Sequence, residues 1–302
     1  MTAARGLPAR HALLALAVVA VWGTNFVVIK FALASLPPLL LAVLRFALVF
    51  LPAAFFIRRP AVPWRKLAAY GVLIGAGQFG LLYIAVAGRI SPGLASLVVQ
   101  VQVFFTIGLA MAVAGERMRR FEVLALLLAT AGIVVIGTHT DADTSVAGLL
   151  LVVGAALAWA LGNQVARTMG RVDMLGVVVW SSAFAVPPLL ALSLGFEGPA
   201  RMLHAVQAAG AAAWLAVAWQ SLGNSLFGYA AWGWLLARHP AATVVPTALL
   251  VPVFGMSASA LALGEALPAW KLAAAALVLG GLAINLLWPR LAAALFIEPA
   301  RR

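Results

Sequence analysis

Residues 14–30, LALAVVAVWGTNFVVIK, resemble residues 151–167, LVVGAALAWALGNQVAR, along their whole length. Each string belongs to an apolar run of the length a membrane-crossing helix needs, about 20 residues. Each also carries a tryptophan and, about one helical turn later, an asparagine: Trp22 with Asn25, and Trp159 with Asn163. A second pair of strings repeats the relation. Residues 91–118, SPGLASLVVQVQVFFTIGLAMAVAGERM, resemble residues 239–267, HPAATVVPTALLVPVFGMSASALALGEAL, aligning Pro92 with Pro240 and Glu116 with Glu265.

Working outward from these strings, ten apolar spans are expected: 12–31, 37–57, 67–87, 91–113, 121–138, 148–165, 176–194, 212–236, 241–263 and 271–288. They are separated by short turn-forming or charged strings such as SLPP, RRPAVPWRK, GRISPG and HTDADTSV. The paired strings then divide the chain into two units of five spans, 12–138 and 148–288. Five is odd, so the second unit must run through the membrane upside down. Inverted repeats are the architecture of alternating-access carriers, with the substrate site between the halves near the midplane. The expected fold is therefore an all-α integral membrane protein of ten transmembrane helices in two inverted five-helix repeats. The first span is too long for a cleavable signal and lacks a cleavage-like end.

Composition agrees. Of 302 residues, 65% are apolar and 9% charged, against roughly 45–50% apolar and about 25% charged in a soluble domain. A water-soluble enzyme, a disordered chain and a coiled coil are excluded on that ground. With no cysteine there is no disulfide framework, thiolate metal site or cysteine nucleophile. The net charge of +12 is a topology signal. Placing the termini in the cytoplasm puts fifteen Lys and Arg inside and only Arg89, Arg201 and Lys271 outside, with Lys30 and Arg45 within spans. That bias predicts cytoplasmic N- and C-termini. Nucleic acid is not an expected partner; the lipid bilayer is.

Catalytic signatures do not survive inspection. GAGQFG, residues 75–80, matches a dinucleotide fingerprint in letters, but it lies inside a span with no strand before it. It reads as a small-residue packing face. His139, Asp141 and Asp143 in HTDAD read as an external turn, since a closed metal site takes four ligands with a supporting shell. All four histidines fall at span ends or in loops. The expectation is no enzyme, no cofactor and no metal.

The polar residues inside the spans are few. Arg45 lies near the middle of the second span with no acidic residue at midplane depth in any other. A charge at that depth costs about 2.5–3.5 kcal/mol on insertion scales, and it marks either a substrate site or a packing lock. Trp22 with Asn25 and Trp159 with Asn163 each share one helix face. An aromatic wall and an amide suit a small polar solute. Gln78, Gln100, Gln102, Asn224 and Tyr229 complete the candidate cavity, although Gln100 and Gln102 point about 200° apart on a regular helix. Each amide alone is explained by an interhelical hydrogen bond; the set argues for a hydrated cavity. Trp180 and Trp232 fit either the cavity or an interfacial belt, and Lys30 is expected to snorkel to the outer surface.

The strings VWGTNFVVIK, PPLLLAVLRF, SPGLASLVVQVQVFFT, GERM, VVPTALLVPVFG and LALGEAL resemble the EamA-type members of the drug/metabolite transporter superfamily over residues 12–288. The similarity is greatest to bacterial amino-acid metabolite efflux proteins that export O-acetylserine and cysteine. The resemblance implies ten helices, a central cavity built from both halves, and export across the bacterial inner membrane; related members move sugars, nucleotide sugars, aromatic amino acids or drugs. One departure is GEAL in the second half where the first has GERM, so no symmetric role is assigned to that arginine. Together these readings predict a secondary exporter of small amino acids or their metabolites. Arg45 would take a carboxylate, and Pro246 and Pro252 are candidate flexing points. A membrane-embedded enzyme would need acids or histidines clustered at one membrane face. An aqueous channel would need more pore-lining polar groups.

Overall fold

The computed structural model describes residues 7–114, 119–139 and 144–296. Glu116 and the rest of GERM (115–118), together with Asp141 and Asp143, lie outside the described residues. Within them the chain is helical and forms no β-strand. Apolar surroundings dictate this outcome, because a helix satisfies its own backbone where no water can.

The helices are α1 (Ala9–Leu33), α2 (Pro38–Ala53), α3 (Trp64–Val86), α4 (Pro92–Ala112), α5 (Arg120–Thr138), α6 (Val146–Arg167), α7 (Met174–Phe196), α8 (Pro199–Ala208), α9 (Ala211–Arg238), α10 (Val245–Leu263) and α11 (Ala269–Phe296). Among the described residues, eight are long and apolar enough to cross a membrane, or nine if α8 and α9 form one span across their 103° bend. At 16 residues α2 is apolar but shorter than that test requires. The sequence reading did not foresee α8, whose string PARMLHAVQA is too short and polar for the periodicity of a span.

Four helices are irregular. A π-helical segment, wider than α by one residue per turn, occupies Leu73–Gly80 of α3 and Trp219–Phe227 of α9. A tight 3-10 turn occupies Val99–Val101 of α4 and Val245–Leu249 at the start of α10. In α10 the cause is visible: Pro246 has no N–H to give to a regular ladder.

Neighbours recur in exchange-related couples. α1 lies along α10 as α6 lies along α4, and α3 packs on α6 as α9 packs on α1. α2 pairs with α7, and α5 with α11. Close approach rests on missing β-carbons. A Cβ on Gly71 would run into the backbone oxygen of Ser181 on α7, and one on Gly23 would stand 2.5 Å from the backbone oxygen of Val251 on α10.

Two carboxylates reach across between these helices. Glu197, at the end of α7, accepts the backbone N–H groups of Leu39 and Leu40 at 2.7 and 2.9 Å. It thereby satisfies donors that the first turn of α2 leaves without helical partners, while Ser193 donates to it at 2.5 Å. Glu265, past the left-handed Gly264 (φ 68°) that stops α10, does the same for α4. It accepts from Ser91 Oγ at 2.5 Å, from the Gly93 N–H at 3.1 Å, from Lys271 Nζ at 3.0 Å and from Ser259 Oγ. Lys271, counted on the outer side in the charge tally, is a buried partner of Glu265.

Burial pushes the Glu265 carboxyl up, but the hydrogen bonds from Ser259, Ser91 and Lys271 and the Lys271 charge more than reverse it. Its pKa lies below the ordinary glutamate value. A depressed folded-state pKa contributes stability that is complete above the unfolded value and is lost as pH falls through the folded one. Thermal melting of the detergent-solubilised protein should therefore fall on strong acidification, and Glu265→Gln should remove part of that acid sensitivity. Gly71→Val should lower the melting temperature at neutral pH, the overpacking costing about 1–3 kcal/mol. Unchanged melting would contradict the close α3–α7 approach.

Candidate functional site

The π segments of α3 and α9 both touch α2, and Arg45 projects from α2 among their residues. Its side chain is buried, with the residue 1% exposed. Nη1 donates to Tyr83 Oη at 2.8 Å; Nη2 donates to Asn224 Oδ1 at 2.8 Å and to Ser225 Oγ at 3.0 Å. The guanidinium carbon stands 3.8 Å from the centroid of the Phe79 ring, an arrangement in which the electron-rich face stabilises a cation. Ser221 Oγ donates to the backbone oxygen of Arg45 at 3.1 Å, tying α9 to the α2 backbone as well. Among the described residues the only ion pair is Lys271–Glu265. The charge of Arg45 is thus met by hydroxyls, an amide and a ring.

The wide turn explains the convergence. In a segment with i to i+5 bonding, residues one, four and five positions apart crowd onto one face. Gln220, Ser221, Asn224 and Ser225 occupy those positions and are all buried. Gln220, 0% exposed, accepts from Tyr83 Oη, while its Nε2 has no partner. Arg45 Nε is likewise without a partner. A cavity of ≈ 10 Å³, enough for about one water, adjoins Arg45, Phe79, Tyr70, Ser182, Ser225 and Tyr229.

Of the other expected residues, Trp22, Asn224 and Tyr229 join this group and the rest lie elsewhere. Trp22 Nε1 donates to the backbone oxygen of Asn224 at 3.1 Å, and its ring sits against Gly228 and 5.1 Å from that of Trp232. Trp22, Asn224, Tyr229 and Arg45 therefore meet. Asn25 and Gln78 are buried with side-chain oxygens that lack partners. Asn163 belongs to a separate cluster on α4 and α6, donating to Gln102 Oε1 at 3.0 Å and to Thr106 Oγ1 at 3.4 Å. Gln100 is buried in the 3-10 turn, and Trp159 packs half-buried against the core. Trp180 donates to the backbone oxygen of Ile57 at 3.0 Å, and Lys30 lies 3.4 Å from that of Val86. Tyr83, Phe79, Gln220, Ser221 and Ser225 did not stand out in the sequence. The string QSLGNS carries a signal for three of them in its pairs four positions apart, Gln220–Asn224 and Ser221–Ser225.

The EamA-like transporter family matches residues 9–138 and again residues 146–287. The chain belongs to that family and is a multi-pass membrane transporter. It is 40% identical over 278 residues to a protein of Salmonella typhimurium named "Probable amino-acid metabolite efflux pump", covering 90% of this chain and 93% of the relative. An Escherichia coli K12 protein of the same name is 38% identical, with 91% of this chain and 94% of the relative covered. A solved crystal structure superposes with a TM-score of 0.61 over 94% of this chain and 99% of that one at 22% identity, a likeness of fold.

Arg45→Ala should lose transport in a liposome counterflow assay. Arg45→Lys should fail too, because one ammonium cannot reach Tyr83, Asn224 and Ser225 together and lie flat on Phe79. Wild-type rates in Arg45→Lys would show that the planar fork is dispensable.

Proposed function

We propose that this protein exports small amino acids or their metabolites, cysteine and O-acetylserine among them, from the cytoplasm across the bacterial inner membrane by alternating access. The observation that carries the reading is Arg45: a buried cation, joined to both halves of the chain through neutral groups, with no acidic residue against it among the described residues. Its charge selects a carboxylate-bearing or zwitterionic solute. The names of the two relatives with the highest identities given above agree with that substrate class. Trp22, Asn25, Gln78, Asn224 and Tyr229 enclose the solute next to Arg45; Gln100, Gln102, Trp159 and Asn163 supply the counterpart wall from α4 and α6.

The two halves are 12–138 and 148–288, crossing five times each in opposite senses with both termini in the cytoplasm. Two family matches in one chain, irregular turns at equivalent places and exchange-related neighbours support that arrangement. In it α2 counts as a crossing despite its 16 residues, and α8 lies at the surface ahead of α9. The halves rock about the site, and the charge of Arg45 stays at the midplane.

Inverted vesicles loaded with the protein should take up labelled cysteine or O-acetylserine from a panel of amino acids, and empty vesicles should not. Uptake of sugars or hydrophobic drugs in place of every amino acid would overturn the substrate class. Reporter tags at either terminus should score cytoplasmic, and a tag in residues 139–146 should score external. A cytoplasmic signal from that loop would break the inverted arrangement.

A further inference from the structure

The direction of each hydrogen bond around Arg45 is forced. A guanidinium has five N–H donors and no acceptor, so every group it touches must turn an oxygen toward it. Asn224 does so with Oδ1, which leaves its NH2 as the group it offers elsewhere. Tyr83 accepts from Arg45 and donates its own hydroxyl to Gln220 Oε1, so the Gln220 amide stands with Nε2 pointing away. Gln220 Nε2 and Arg45 Nε are then both buried donors without acceptors. Burying a donor unmet is unfavourable, and two of them beside one uncompensated charge make a surface that only an acceptor can complete.

We propose that Gln220 Nε2 and the NH2 of Asn224 are the substrate-anion contacts of this transporter, holding the carboxylate of an amino acid. Arg45 is the positioning residue that orients both amides and supplies the field. This rests on the reading of the protein as an amino-acid exporter. It replaces a carboxylate clasped by the guanidinium fork, whose Nη atoms are already taken by Tyr83, Asn224 and Ser225. Around the carboxylate these contacts are all donors, and they select against cations. A solute stripped of its carboxylate leaves Gln220 Nε2 unmet and brings only an ammonium toward Arg45.

The test is counterflow by the purified protein in liposomes with labelled L-cysteine, competed by L-cysteine methyl ester and by cysteamine, which lacks the carboxylate. If the efflux panel selects another amino acid, that solute is used with its own ester and amine. In the wild type both competitors should act at least tenfold more weakly than the amino acid. Gln220→Glu places a carboxylate against the Tyr83–Arg45 pair. It should raise half-saturation for the amino acid tenfold or more and invert the order, so that the amine competes better. Gln220→Met, similar in size but without a donor, should raise half-saturation for the amino acid about tenfold and leave that of the ester unchanged. If Gln220→Glu does not purify as a monodisperse protein, Asn224→Asp should give the same inversion.

Wild-type selectivity retained in these variants would overturn the proposal. So would a parallel loss for amino acid, ester and amine, which marks a packing role. A wild type that exports no amino acid fails the function itself, and this assignment with it.

Discussion

Arg45 donates to Tyr83 and Asn224 at 2.8 Å and to Ser225 at 3.0 Å, and lies against the face of Phe79. A cation removed from water is costly unless its hydrogens are met, and this chain meets three of the five with neutral groups drawn from two different helices. That requirement dictates much else. Tyr83 and Phe79 must come from α3, Asn224 and Ser225 from α9, and all must reach one point on α2. Gln220, Ser221, Asn224 and Ser225 form two pairs four positions apart, and the π segment that carries them lies against α2.

The all-helical membrane class was legible because the signal that specifies it is long: runs of about 20 apolar residues extend over most of the chain. The weak places were local. α8 is a ten-residue surface helix whose polar letters resemble a loop, and nothing in the letters joins Lys271 to Glu265. At the site, Arg45, Asn224, Tyr229 and Trp22 were visible as polar or aromatic breaks in apolar runs, and they do converge. Gln220, Tyr83 and Phe79 carry no repeat or spacing in the sequence that ties them to Arg45; only packing brings them there. Trp159 and Asn163 do lie one turn apart on a regular helix, yet their contacts differ, Trp159 with the core and Asn163 with Gln102 and Thr106.

Similar strings do not impose similar chemistry. The seam between α1 and α9 carries Trp22 on Asn224 and Gly228, next to a charge. Its counterpart between α6 and α3 presents Gly77 to Ala158 and Gly162 to Ile74, with no arginine between. On α7 the residues that line the cavity beside Arg45 are Val178, Ser181 and Ser182. One pattern of backbone positions thus supports two unlike polar clusters, and the cation belongs to one of them alone.

Glu197 and Glu265 each follow a helix of the later part of the chain and close the first turn of an earlier one, α2 and α4. The exposed N–H groups at a helix start carry roughly half a positive charge, and here two such starts are neutralised by carboxylates on the other side of a seam. Separating the seam at that face withdraws both carboxylates together. What it uncovers is a pair of positive helix poles, so an opening there is lined, by the backbone alone, with a potential attractive to an anion.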